Sequence, residues 1–216
     1  QWNDFGIFHA RKREAAASPL SNMGMIAGEK TLNYLHINKP HRPLLYLPSG
    51  RSYCNSFEPI GCVSDSTPNA RQPSLINVAY HQYLLQCGYA DKLLGEVIRT
   101  MKNDGMFDQS LLIVMGDHGI SYTPGTFKRA ELGDIGLADV SSVPMFIKFP
   151  RQTQSVIKEE EVTVMDIFPT ICELLKVSSP WPVDGYSLLK PNYPRIDDFN
   201  LENKRIYYSP YEINNK

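Results

Sequence analysis

Asp117 and His118 form the sharpest local feature of the chain, in the tetrapeptide Gly116-Asp117-His118-Gly119 directly after the apolar run 110–115 (SLLIVM). A carboxylate oxygen and an imidazole nitrogen make half of a site for Zn, Mn or a related divalent cation. Adjacent residues inside a strand point to opposite faces, but where a strand turns into a loop beside glycines both side chains can converge on one ion. The same tetrapeptide also reads as a capping Asp followed by a loop His.

A second feature is Lys39-Pro40-His41-Arg42-Pro43. Prolines on either side of His41 fix the backbone and hold the imidazole in a set direction, which suits a general acid or an oxyanion contact. An ordinary loop with the pattern Pro-His-x-Pro is the competing reading. His36, on a strand, is expected in the core or supporting a site from behind rather than as a ligand, and His9 and His81 have no motif around them. The 4 cysteines are too few for a disulfide framework, and they form neither CxxC nor a Cys/His pair at zinc-finger spacing. Cys54 and Cys62 flank a short loop with Pro59 and Gly61, either as a local disulfide or as two free thiols.

These groups need elements to position them. The segment 31–37 (TLNYLHI) reads as a strand with Leu32, Tyr34 and His36 on one side and Asn33, Leu35 and Ile37 on the other. From 38 to 73 six prolines, at 40, 43, 48, 59, 68 and 73, forbid long regular elements, so this is a large loop of the kind that carries function. Residues 75–103 make the longest helical pattern, with Leu84, Leu85, Ala90, Leu93, Leu94, Val97, Ile98 and Met101 as its apolar positions and Gly105 as its stop. The near-continuous apolar runs 110–115 and 143–149 predict strands covered on both faces, and 165–177 predicts a second helix. The basic run Arg11, Lys12, Arg13 with Glu14 and three alanines predicts a short helix in the first 30 residues. Helix and strand alternate, so the class is α/β, with helices on a central parallel sheet whose strands 31–37 and 110–116 present their carboxyl ends at one edge.

At 42% hydrophobic, 21% charged and 11% aromatic the composition is that of a folded protein and excludes a disordered tail. Its 22 Lys+Arg against 23 Asp+Glu lack the basic footprint of a nucleic-acid binder. No apolar stretch approaches the roughly 20 residues of a membrane span. The opening Gln1-Trp2-Asn3-Asp4 has no initiator Met and no signal pattern, so the chain is expected to be a segment of a longer protein.

In order along the chain, several segments resemble the sulfatase family of the alkaline phosphatase superfamily. They are the Pro40-His41-Arg42-Pro43 turn leading into Tyr46-Leu47-Pro48-Ser49-Gly50, the long helix with Tyr89 and Asp91, and Asn103-Asp104-Gly105. Asp117-His118-Gly119, Ser142-Val143-Pro144, Asp166-Ile167-Phe168-Pro169-Thr170 and Asp184-Gly185-Tyr186-Ser187-Leu188 complete the series. The likeness covers 31–190, between a helical segment 1–30 and a polar tail 191–216, and the His-Pro-rich turn looks most like the sulfatase domains of bacterial membrane-anchored proteins.

The resemblance implies an alkaline-phosphatase-like sheet flanked by helices, with the N-terminal portion of the domain missing. It implies a metal-dependent sulfuric ester hydrolase working outside the cytoplasm, with Asp117 and His118 as ligands of a divalent ion (Zn, Mn or Ca). His41 would contact the ester oxygen or assist the leaving group, and Lys128 or Arg129 would bind substrate. Many sulfatases carry Asn where His118 stands and bind Ca²⁺; an imidazole there, as in the phosphatase branches, favours a transition metal and admits a phosphate ester. The family's nucleophile is a formylglycine made from Cys or Ser with Arg four residues on; Cys54, Cys62, Cys87 and Cys172 all lack that Arg. Nucleophile and first acidic ligands are therefore expected upstream, and this chain alone is expected to be inactive. Asp197-Asp198 reads as a solvated turn. Rival readings are a phosphoethanolamine or glycerol-phosphate transferase or phosphodiesterase of the same superfamily, and a non-catalytic module that binds a partner through the loop 38–73.

Overall fold

A computed structural model describes residues 2–8, 31–53, 73–123, 134–158 and 162–190. The elements are β1 (Trp2–Phe8), β2 (Leu32–Ile37), α1 (Pro73–Asn103), β3 (Leu112–Met115), α2 (Asp134–Ser141), β4 (Met145–Lys148) and α3 (Ile167–Leu175), the last preceded by a 3₁₀ turn (Val164–Asp166). The class is α/β. The strand β1 lies inside the segment expected to be helical, and it pairs with β2 in parallel, Trp2 beside Leu32 and Phe5 beside Leu35. The helix expected around Arg11–Arg13, the cysteines Cys54 and Cys62, Asp197-Asp198 and the tail 191–216 lie outside the described residues.

Instead of one sheet the strands form two pairs, β1 with β2 and β3 with β4. The expectation that 31–37 and 110–116 share one parallel sheet is not met among the described residues, where β2 pairs with β1 and β3 with β4. The chain divides into two compact units, Gln1–Leu112 with Tyr122–Phe127 and Ile147–Gln152, and Ile113–Ser121 with Lys128–Phe146 and Thr153–Lys216. The segment 31–190, expected as one domain, contributes to both.

In the first unit α1 is the organising element. It opens on Pro73, which needs no intrahelical N–H partner, and it ends in a Schellman motif. Gly105 takes φ +68, its N–H donates to the Lys102 carbonyl at 3.1 Å, and Met106 N–H donates to the Met101 carbonyl at 2.8 Å. Met106 then packs on Met101 and Val97, with Leu35, Phe107 and Leu112 around them. The buried stripe of α1 starts with Ile76, Ala79, Gln82 and Gln86 and resumes at Val97 and Met101. Leu84 and Leu85, expected on the apolar face, are 46% and 37% exposed. Leu84 follows Gln82 and precedes Gln86 by two positions each, about 200° of helical rotation from either, so it faces the other way. Burial of Ile76, the largest fully buried side chain among the described residues, contributes about 2 kcal/mol.

In the second unit a buried carboxylate joins two distant segments. Asp166, 1% exposed, accepts hydrogen bonds at Oδ2 from the Thr163 amide and hydroxyl and at Oδ1 from the Tyr186 amide. The Thr170 hydroxyl donates to the Asp166 carbonyl at 2.6 Å and accepts from the Leu188 amide at 2.9 Å. Gly185 permits the contact, since a Cβ there would stand 2.2 Å from the Met165 carbonyl oxygen. The two motifs 166–170 and 184–188 are thus one interlocked structure.

Candidate metal pair and histidine turn

The segment 116–121 leaves β3 and is held at successive points within the second unit. Gly116 N–H donates to the Pro144 carbonyl at 3.2 Å, and Gly119 N–H donates to the Val140 carbonyl at 2.7 Å. The Ser121 hydroxyl donates to Asp139 Oδ2 at 2.7 Å. Gly119 is required by space: a Cβ would lie 2.0 Å from the Asp139 carbonyl oxygen. Between these anchors Asp117 and His118 turn toward each other. His118 Nε2 and Asp117 Oδ2 are 3.7 Å apart, on side chains 33% and 69% exposed respectively.

His118 Nδ1 lies 2.9 Å from the Gly119 carbonyl oxygen, which can only accept, so the neutral tautomer that satisfies this contact has its proton on Nδ1 and its lone pair at Nε2. Two acceptors facing each other across 3.7 Å are reconciled by a cation or a second ring proton. An ion about 2.1 Å from each atom fits that gap, and the backbone-oriented imidazole is the arrangement that fixes a metal-binding histidine. The pair therefore fits a divalent ion as two of its ligands. Among the described residues no group of three or more His, Cys, Asp or Glu side chains could hold a metal.

His41 belongs to the first unit. The Lys39–Pro40 and Arg42–Pro43 peptide bonds are both cis, and between them the exposed His41 ring sets Nδ1 2.7 Å from the Arg42 carbonyl oxygen. The tautomer that satisfies this contact carries its proton on Nδ1 and has its lone pair at Nε2. The turn rests on α1 through the fully buried Gln86, 0% exposed. Gln86 Nε2 donates to the Pro40 and His41 carbonyls at 3.0 and 2.7 Å, and Oε1 accepts from the Leu45 amide at 3.0 Å. Further along, Gly50, with φ +85, brings its backbone against the Tyr89 ring, Pro48 packs on Gly88, and Lys92 Nζ donates to the Ser49 carbonyl at 2.7 Å. Lys39 stands 4.8 Å from the centre of the Tyr46 ring, and its burial lowers the ammonium pKa below the ordinary lysine value.

Beside this turn Tyr122 packs against Tyr83 and Tyr80, with ring centres 5.2 and 5.5 Å away. Burial pushes the Tyr122 phenol up to about 12, with the Arg42 guanidinium pulling the other way. Burial likewise raises Tyr83 and the Cys87 thiol that bonds to it, which disfavours the thiolate form of Cys87.

The structure thus brings Asp117 and His118 together. His36 is half-buried on β2, and His81 is an exposed helix residue bonded to the Asn77 carbonyl. Lys128 and Arg129 lie outside the described residues. Gln86 escaped the reading of the sequence, although its signal was there: an amide four residues from Gln82, in a stripe otherwise built of Ile76, Ala79 and Val97.

A family model described as Sulfatase matches residues 22–177, most of the chain. The chain belongs to the sulfatase family. It is similar to arylsulfatase K of Xenopus laevis, 27% identical over 138 residues that cover 62% of this chain and 25% of that protein. It is also similar to human N-sulphoglucosamine sulphohydrolase, 25% identical over 166 residues, 68% of this chain and 32% of the relative. Among solved structures the phosphonate monoester hydrolase of Silicibacter pomeroyi aligns with a TM-score of 0.46 and 25% identity, over 57% of this chain and 23% of that one. The chain therefore spans about a quarter to a third of the length of these curated relatives. No helix among the described residues is long and apolar enough to cross a membrane.

Proposed function

We propose that the chain is the C-terminal portion of the catalytic domain of a metal-dependent sulfuric ester hydrolase. The observation that carries the proposal is the Asp117–His118 pair, two donors 3.7 Å apart on a glycine-bounded loop, in a chain of the sulfatase family. Asp117 Oδ2 and His118 Nε2 are two ligands of a divalent ion, Zn, Mn or Ca, and when bound that ion supplies positive charge to stabilise developing oxyanion character. Further ligands and the formylglycine nucleophile are assigned to sequence preceding this segment. His41, protonated at both nitrogens, donates from Nε2 to the departing alcohol oxygen while Nδ1 stays on the Arg42 carbonyl. Lys128 and Arg129 are assigned to the anionic ester group. By the likeness of the His41 turn to membrane-anchored sulfatase domains, the parent protein acts outside the cytoplasm.

The imidazole of His118 favours a second reading, a phosphate ester hydrolase or transferase with a transition metal, because nitrogen donors suit Zn or Mn better than Ca²⁺. Both readings are tested by assaying aryl sulfate and aryl phosphate hydrolysis with Zn, Mn and Ca supplied in turn. The full-length protein is expected to turn over one of them, and Asp117→Ala to lower kcat roughly 10³-fold with only a small change in thermal stability in the absence of metal, since its side chain is largely exposed and loses one hydrogen bond, from the His118 amide. The isolated 216-residue chain is expected to show no turnover above background. Activity of the isolated chain that is lost on Asp117→Ala would refute the assignment of the nucleophile to preceding sequence.

A further inference from the structure

We propose that Gln86 is the residue that positions His41 for proton transfer. The inference rests on the reading of His41 as the group that assists the leaving alcohol, and it adds a residue on another element that acts through it. A buried primary amide has two donor hydrogens and one carbonyl oxygen, and in Gln86 all three are used on the turn 40–45. The two N–H groups take the carbonyls of consecutive residues, Pro40 and His41, and the oxygen takes the Leu45 N–H that closes the turn. The carbonyls of Pro40 and His41 belong to the peptide planes before and after the His41 Cα. Holding both planes sets the direction of its Cα–Cβ bond.

The ring torsion is then set from the next residue, where His41 Nδ1 seats on the Arg42 carbonyl. Together the contacts leave Nε2 as the outward nitrogen of an otherwise exposed side chain. Simple packing does not need this amide. Ile76 and Ala79, on the same stripe, bury apolar groups against Leu75 and Tyr122. An apolar side chain at 86 would fill the space and leave two carbonyls and one amide of the turn without partners, so the polar group selects one turn conformation.

A double-mutant cycle on the full-length protein separates a positioning role from a structural one. Aryl sulfate and aryl phosphate are the probes, with Zn, Mn or Ca as the metal that supports turnover. His41→Ala is expected to lower kcat by roughly 10²-fold. Gln86→Met, close in volume but without the three hydrogen bonds, is expected to lower kcat by roughly 10-fold, with KM changed less than about twofold. In the His41→Ala background Gln86→Met should have no further effect on kcat, because a misplaced imidazole cannot be lost twice. Should Gln86→Met not fold, Gln86→Glu serves in the same cycle, since a buried carboxyl facing two carbonyl oxygens is held protonated and so keeps the acceptor for Leu45 and only one of the two donors.

Multiplicative losses in the double variant, or a Gln86 variant with unchanged kcat beside a damaged His41→Ala, would overturn the positioning role and leave His41 in place. Full activity of His41→Ala would instead overturn the role of His41 itself, and that of Gln86 with it.

Discussion

His41 sits on a turn tied to α1 largely by side chains, whereas Asp117 and His118 sit on a loop tied to α2 and the entry of β4 mostly by main-chain groups. In the first region the contacts come from Gln86, Tyr89 and Lys92, all far along the chain from the turn they hold. In the second they come from the carbonyls of Val140, Pro144 and Asp139. The difference teaches where each can give. A side chain that meets an intruding atom can turn about its χ angles, while a carbonyl moves only with its helix or strand.

The largest expected effect is at Gly119. Gly119→Ala places a methyl 2.0 Å from the Asp139 carbonyl oxygen, so either the loop or the end of α2 must shift. A destabilisation of about 3 kcal/mol or more is expected in denaturant melts, with loss of metal-supported activity even though neither Asp117 nor His118 is changed. A neutral Gly119→Ala would break the contrast, because it would show the main-chain anchors to be as compliant as side chains.

Gly50→Ala probes the other region and should cost less. The new methyl would meet the Tyr89 ring at 2.7 Å and would sit on a residue with φ +85. The left-handed conformation contributes about 1 kcal/mol and the overlap is relieved by movement of the ring, for about 2 kcal/mol in total. Pairing Gly50→Ala with Tyr89→Leu should recover the overlap part and leave the backbone part, and failure to recover would place the strain in the turn itself.

The smallest effect is at alkaline pH. The folded-state pKa of Tyr122 lies at about 12, above its ordinary 10.0, so the folded protein keeps a proton that the unfolded chain releases. Its contribution to stability is fully present below pH 10 and is lost as pH rises through the folded value near 12. Tyr122→Phe should therefore flatten the fall of stability between those limits by less than roughly one proton's worth of slope, read from urea midpoints at several pH values. An unchanged slope would show that the phenol is not held neutral by its place beside Tyr80 and Tyr83.

Much of the fold was legible as local pattern. The spacing of apolar residues predicted helix over 75–103 where α1 spans Pro73–Asn103, and Gly105 marks its stop because only a left-handed residue completes the Schellman bonds. The strands 31–37, 110–115 and 143–149 appear as β2, β3 and β4, with β4 starting two residues later because Pro144 cannot donate to a ladder. The expected single sheet did not follow, since strand partnership is a long-range choice that apolar runs do not encode. Likewise the exposure of Leu84 and Leu85 was illegible, because helical periodicity finds a stripe but an amide such as Gln86 can take a place on it.

The sequence by itself determined that Asp117 and His118 are adjacent donors beside glycines, that His41 stands in a proline-bounded turn, and that the surrounding motifs follow the sulfatase order. These are properties of neighbours along the chain, where a few torsions decide what is close. Only the tertiary structure decided that the Asp117 and His118 side chains come within 3.7 Å, that Gly119 is demanded by a carbonyl of Asp139, and that Gln86 holds the peptides around His41. The last two depend on groups brought together from distant parts of the chain. Hydrogen-bond geometry is directional within a few tenths of an ångström, so composition and spacing reveal the donors and acceptors while the fold alone chooses which of them meet.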